Sequence, residues 1–126
     1  MTPSTKDDMA SEITSLMHNS LFGVFGERDP ARRQAVVAAT YTEDVVFHDP
    51  EGMVTGRAAL AAKVQGLLDS APDFTFQPAA EVREVGDLGL LAWRFGPAAG
   101  PPAVTGTDIG LVRNGQIAAL YTLVDP

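Results

Sequence analysis

The sequence contains no cysteine, and this absence excludes disulfide bonds, thiol nucleophiles and cysteine-ligated metal sites. It also has no apolar run approaching the ~20 residues that a membrane-spanning helix needs. The first residues, MTPSTKDDMASE, show no basic segment followed by an apolar stretch, so we expect no secretory signal. These absences predict a cytoplasmic protein that uses neither a membrane anchor nor thiol chemistry.

Basic residues are scarce as well. The chain has 9 Lys and Arg against 16 Asp and Glu, which gives a net charge of −7. Such a charge repels nucleic acids and anionic membranes at long range, and the densest basic group is only Arg32-Arg33. We therefore expect no nucleic-acid partner and no membrane partner. The 126 residues have the length of one domain, and we assign 1–126 to it.

Several motifs of common enzyme classes are missing. The chain has no G-x-S-x-G element, no glycine-rich phosphate loop and no dinucleotide fingerprint. Its two histidines, His18 and His48, lie far apart and show no metal-ligand spacing. We expect no metal and no cofactor, and acid–base chemistry by carboxylates is the reaction type that remains.

Helical signals fill much of the first half of the chain. Ser4 with Asp7 forms a variant capping box, and Asp29-Pro30 combines a favoured cap with a favoured first helical residue. A third helix is predicted to begin at Thr55-Gly56 and to end at Ser70-Ala71-Pro72. The first helix carries a stripe at spacings of three and four, formed by Met9, Ile13, Leu16, Met17, Ser20, Leu21 and Val24.

Strand signals dominate the second half. A short strand and its turn occupy 44–54, and four longer strands are predicted at 74–85, 88–96, 104–113 and 116–124. Asn114-Gly115 is a strong signal for a two-residue hairpin. Helices followed by a meander predict an α+β fold, with three N-terminal helices packed on one face of a curved, mostly antiparallel sheet.

Asp49, in DVVFHDPEG, is the first unusual acid. It shares strand parity with Val45 and Phe47, so an interior face would place its carboxylate in an apolar space suited to proton transfer. An Asp before Pro also organises turns, by accepting backbone N–H bonds from the residues that follow. Residue type alone leaves both roles open.

Asp108, in VTGTDIGLV, is the second unusual acid. Asp is disfavoured inside strands, and glycines on either side would leave room for a ligand beside a pocket acid. The alternative is a structural ion pair with an arginine such as Arg94.

Large apolar side chains offer the wall of such a pocket. We predict a substrate-binding set of Trp93, Phe22, Phe25, Met53, Phe74 and Tyr121. A lone tryptophan in a strand is also a common core residue. His48 has the opposite parity to Asp49, which favours an exposed or interface position over a catalytic one.

Two strands are apolar on both faces. Leu91, Trp93 and Phe95 share one face of 88–96, whereas Leu88, Leu90 and Ala92 share the other. Since the helices cover only one side of the sheet, a homodimer through the outer face would bury the second side. A sheet that curls tightly enough to cover itself is the alternative.

The chain resembles the NTF2-like superfamily, close to its SnoaL-like polyketide cyclase and ketosteroid isomerase branches. Three stretches carry the resemblance: YTEDVVFHDPEGMVTGRAAL at 41–60, LLAWRFG at 90–96 and TGTDIGLVRNGQIAALYTL at 105–123. The resemblance implies a cone-shaped fold with an internal pocket. It implies no single activity, because this fold hosts many.

The resemblance also implies site roles. Ketosteroid isomerases have an Asp-Pro after a short strand as general base, which corresponds to Asp49, and a protonated mid-strand Asp as oxyanion donor, which corresponds to Asp108. Their first-helix tyrosine has no counterpart in HNSLFGVFGERD (18–29), where His18, Asn19 or Ser20 would have to replace it.

We therefore expect a hydrophobic small-molecule ligand and, if the protein is an enzyme, cofactor-free proton transfer next to a carbonyl, giving isomerisation or cyclisation. Asp49 and Asp108 would be the catalytic residues. The alternatives are a non-catalytic ligand-binding module and an interaction module of the same fold.

Overall fold

The computed structural model describes residues 5–126, with their side chains from residue 12 onward. Its helices are α1 (Thr5–His18), α2 (Pro30–Thr40) and α3 (Arg57–Ser70), and a π-helical segment, Asn19–Phe25, continues α1. The predicted start of α2 is confirmed: the Asp29 carboxylate accepts the Ala31 N–H at 2.9 Å, and Pro30 is the first helical residue. The predicted capping box of Ser4 and Asp7 lies outside the described side chains.

Seven strands form one mixed sheet in the spatial order β2-β1-β7-β6-β5-β3, with β4 also paired to β5. The strands are β1 (Tyr41–Asp49), β2 (Gly52–Thr55), β3 (Phe74–Pro78), β4 (Arg83–Val85), β5 (Leu88–Pro97), β6 (Val104–Arg113) and β7 (Gln116–Val124).

The predicted meander and the α+β class are confirmed. The hairpin between β6 and β7 turns at Asn114 and Gly115, which both have positive φ, as this two-residue turn requires.

Two features of the sheet differ from the prediction. The strand expected at 74–85 is two short strands, β3 and β4, which both pair with β5. In addition, β1 pairs in parallel with β7, and so the first strand in the chain joins the last. Register irregularities in β1 (Tyr41/Val46) and in β6 (Leu111/Val112) bend these strands, and the open sheet is curved.

The helices cover the inner face of the sheet, where the core lies. Gly89 of β5 and Gly110 of β6 let α1 approach closely, since a Cβ at Gly110 would lie 2.8 Å from Met17 Sδ. Leu91 of β5 and Leu120 of β7 are fully buried on this face. No helix in the described part of the chain is long and apolar enough to cross a membrane.

Candidate functional site

A cavity of about 790 Å³ lies between α3 and the inner face of the sheet. Its floor consists of buried side chains from the π-helical segment, β1, β3, β5 and β6, namely Phe25, Phe47, Phe76, Trp93, Phe95 and Asp108. Its exposed rim comes from the β1–β2 turn, α3 and the end of β7, namely Pro50, Glu51, Ala62, Gly66, Leu67, Ser70 and Val124. The cavity is therefore deep and opens along α3.

The floor of the cavity is a cluster of aromatic side chains with one acidic residue, Asp108, among them. The rings of Phe76 and Phe95 stack with centroids 4.1 Å apart, and the Trp93 indole meets Phe76 edge-on at 5.5 Å. The alternation along β3 and β5 explains this arrangement, because Trp93 and Phe95 share a face and Phe76 lies opposite Phe95. Such a floor suits the apolar body of a ligand.

Asp108 is buried at the floor and is 5% exposed. The Trp93 Nε1–H donates to its Oδ1 at 2.9 Å, and the Thr122 hydroxyl donates to the same oxygen at 2.8 Å. Burial raises the pKa of Asp108 to about 6, although the hydrogen bonds from Thr122 and Trp93 act in the opposite direction. The carboxyl is thus about half protonated at pH 6, and about a tenth of it is still protonated at pH 7.

The two oxygens of Asp108 have different environments. Both hydrogen bonds that it receives from described side chains go to Oδ1. An oxygen that already accepts two hydrogen bonds is an unfavourable site for protonation, so the neutral acid carries its proton on Oδ2. The neutral acid therefore has an O–H donor to offer to a ligand in the cavity.

Gly106 allows this arrangement. It lies opposite Trp93 in the pairing of β5 with β6, and a Cβ there would lie 2.3 Å from Trp93 Cζ2. Without a side chain at residue 106, the indole lies across β6 and its N–H reaches Asp108.

Asp49 is the last residue of β1, at the side of the cavity between floor and rim. Its Oδ1 accepts the Glu51 N–H at 2.9 Å, which is the turn role, and the same carboxylate lines the cavity, which the pocket role requires. One side chain therefore holds the turn and also lines the cavity.

Lys63 of α3 forms an ion-pair cluster with this carboxylate. Its Nζ lies 3.0 Å from Asp49 Oδ2 and 2.5 Å from Glu51 Oε1. The hydrogen bonds to Glu51 and to Asp49 raise the pKa of Lys63. No sequence signal points to this residue, because a lysine next to the apolar face of a helix is common and its partners lie on another element.

Of the predicted substrate-binding residues, Trp93, Phe25 and Phe74 line the cavity. Phe22, Met53 and Tyr121 do not, and their assignment to the wall is corrected. Met53 and Tyr121 lie on the outer face, where His48 pairs with both and stacks on the Tyr121 ring at 4.5 Å. Phe22 is 49% exposed and lies near the His18 ring rather than beside Phe25.

Two other expectations about polar partners also change. Arg94 is exposed and pairs with Thr105 in the sheet, and no ion pair in the described residues joins Asp108 to an arginine. Ser20 shares a buried hydrogen bond of 2.5 Å with the Tyr41 hydroxyl, whose pKa is raised by burial. Neither Ser20 nor its neighbours His18 and Asn19 line the cavity.

Some lining residues were missed although a signal existed. Phe76 and Phe95 follow from strand alternation with Phe74 and Trp93, whereas Thr122 required knowledge of the β6–β7 register. No group of three or more His, Asp or Glu side chains in the described part of the chain could hold a metal ion.

The sequence profile of the SnoaL-like domain matches residues 20–120, which is most of the chain. This protein therefore belongs to the SnoaL-like family, and it has the NTF2-like fold. A search of curated proteins finds no match.

Solved structures of the same fold are similar over most of their length. A proposed isomerase of the SnoaL-like family from Agrobacterium tumefaciens C58 has 21% identity and a TM-score of 0.84, covering 92% of this chain and 99% of that one. A proposed polyketide cyclase from Sinorhizobium meliloti has 20% identity and a TM-score of 0.66, covering 88% and 93%. A proposed ketosteroid isomerase from Kribbella flavida has 15% identity and a TM-score of 0.70, covering 92% and 79%.

Proposed function

We propose that this protein binds an uncharged hydrophobic small molecule in its cavity and catalyses cofactor-free proton transfer next to a carbonyl group. The observation that carries the proposal is Asp108, a buried acid with a pKa of about 6, whose Oδ1 is held by Trp93 and Thr122. The isomerase and cyclase descriptions of structurally similar proteins support the same reaction class.

Each acid has a distinct role in the proposed reaction. The Asp49 carboxylate takes a proton from the carbon next to the substrate carbonyl, and the carbonyl oxygen becomes an enolate oxygen. The Oδ2–H of Asp108 donates a hydrogen bond to that oxygen. The enolate then takes the proton back from Asp49 at another carbon, which is isomerisation. Alternatively its carbon attacks a second carbonyl, and the oxygen of that carbonyl takes the proton from Asp49, which is aldol-type cyclisation.

Deuterium exchange tests this function without knowledge of the natural substrate. Bicyclic β,γ-unsaturated ketones and β-keto esters are incubated in D₂O, and NMR measures proton loss next to the carbonyl. We expect exchange above background for at least one compound, and its loss in Asp49→Asn. Asp108→Ala should lower the rate ~10²–10³-fold, as removal of one oxyanion donor does. Asp108→Asn should lower it less, because its amide N–H still donates, although more weakly than the carboxylic acid.

The pH dependence gives a further check. The donor form of Asp108 is the protonated one, so the exchange rate should fall as the pH rises above about 6. Exchange that is unaffected by Asp49→Asn and by Asp108→Ala would contradict the catalytic proposal.

A non-catalytic binding module is the second candidate, and one observation favours it. Both oxygens of Asp49 are already engaged, Oδ1 by the Glu51 N–H and Oδ2 by Lys63. This candidate expects ligand binding that survives Asp49→Asn, with no exchange in the wild type.

We also propose that the outer face of the sheet forms a homodimer. Leu88, Leu90 and Ala92 lie on this face of β5 and are only half-buried. Nearby on the same face, Tyr121 is 38% exposed and Leu123 is 59% exposed. A contiguous apolar surface of this kind is typical of an interface between protein chains.

A further inference from the structure

Exposure along the cavity wall defines the route into it. The buried residues lie at the sheet, around Asp108, whereas the exposed lining residues lie on α3, in the β1–β2 turn and at Val124. A ligand that reaches Asp108 must therefore pass between α3 and the end of β7.

Gly66 lies at the rim on α3, between Ala62 and Ser70 one turn away on either side. Glycine is among the least favourable residues in a helix interior, so its place in the middle of α3 needs a cause. Close packing is not the cause, because a Cβ at residue 66 would meet nothing within 4 Å. Gly23 is the opposite case, since a Cβ there would lie 2.7 Å from Val36 Cγ1.

We propose that Gly66 determines the specificity of the cavity, because its bare backbone leaves at the rim the room that a bound ligand occupies. The inference rests on the ligand-binding part of the proposed function and not on its catalytic part. The independent sign of a ligand in this cavity is Asp108, whose buried carboxyl receives its hydrogen bonds from described side chains on Oδ1 alone.

The charges at the rim indicate that the ligand is uncharged. Lys63 is the one cation among the described lining residues, and the carboxylates of Asp49 and Glu51 both engage it. An anionic ligand would thus find no free counter-charge there, and the net charge of −7 would repel it.

N-phenyl-1-naphthylamine, an uncharged fluorescent probe, tests the inference in the intact protein. Trp93 is the only tryptophan of the chain and lies at the cavity floor, so energy transfer from it reports the bound probe, and the effect of the rim variants against the control assigns that binding to this cavity. The variants are Gly66→Leu, Gly66→Ala and the control Ala58→Leu, which adds the same side chain to an exposed residue of α3 that does not line the cavity.

We expect Gly66→Leu to raise the probe Kd by about tenfold or more and Gly66→Ala by about two- to threefold, because added side-chain volume fills the binding space. Ala58→Leu should leave the Kd within about twofold of wild type, as a surface substitution away from the site does. Gly66→Ala should also raise the midpoint of thermal unfolding by a few degrees, since alanine favours the helix. Weaker binding by a more stable protein cannot come from damage to the fold.

Three results would overturn the inference, and they are distinguishable. Unchanged or tighter binding in both Gly66 variants refutes the role of Gly66 and leaves the proposed function intact. Equal weakening in Ala58→Leu shows that the effect is not specific to the rim. A wild-type protein without energy transfer from Trp93 contradicts ligand binding itself, and this inference with it.

Discussion

Asp49 and Asp108 show how the same residue type takes different properties from its surroundings. Asp49 lies at the side of the cavity and is paired with a lysine and a backbone N–H, whereas Asp108 lies at the floor and forms no ion pair with any side chain that the structure describes. In the proposed reaction, Asp49 accepts a proton from the substrate and protonated Asp108 donates a hydrogen bond to it.

The raised pKa of Asp108 has a consequence for stability. An unfolded Asp has a pKa of ~3.9, so between that value and about 6 the folded protein binds a proton that the unfolded chain has lost. Stability therefore falls as the pH rises through this window, by about 3 kcal/mol from this group.

Asp108→Asn should abolish this dependence, because asparagine keeps the acceptor for Trp93 and Thr122 and has no proton to lose. We expect the variant to gain stability over wild type from pH 4 to pH 7, measured as the difference in free energy of unfolding by urea. Parallel pH curves for the two proteins would show that Asp108 titrates as a normal surface acid.

At the scale of elements, the sequence predicted correctly those features that neighbouring residues determine. The Asp29-Pro30 helix start, the limits of α3 and the Asn114-Gly115 hairpin follow from caps, breakers and turn residues, and all appear in the structure. The parallel β1–β7 pair could not be predicted in this way, because pairing between distant segments leaves no local pattern. Lys63 was missed for the same reason, since only the fold brings α3 to the β1–β2 turn.

The cap of α2 provides a measurable test at this scale. Asp29→Ala removes the acceptor of the Ala31 N–H and should cost about 1 kcal/mol of unfolding free energy. Asp29→Ser restores a comparable cap and should recover most of that loss, although it also removes the ion pair with Arg32. Equal destabilisation by both variants would assign the effect to the exposed ion pair instead.

At the scale of the whole molecule, the outer face of the sheet is the proposed dimer interface. If this face is a dimer interface, Leu123→Glu buries a charge there and should convert a protein with the mass of two chains into a monomer. Light scattering coupled to size exclusion measures this mass. Ala99→Glu, in an exposed loop between β5 and β6, is the control and should remain dimeric. A monomeric wild type would contradict the homodimer, and a monomer that forms a complex in lysate would favour the interaction-module alternative.

Selection for a stable fold alone would act differently on the two hydrogen-bonded carboxyls. Asp49 holds the turn through the Glu51 N–H, so selection for a stable fold is enough to keep it even in a descendant that has lost all activity. Asp108 lowers the stability of the folded state above pH 6, and drift under selection for folding alone would replace it. Of the two acids, Asp108 is therefore the one whose persistence through a lineage would record a function.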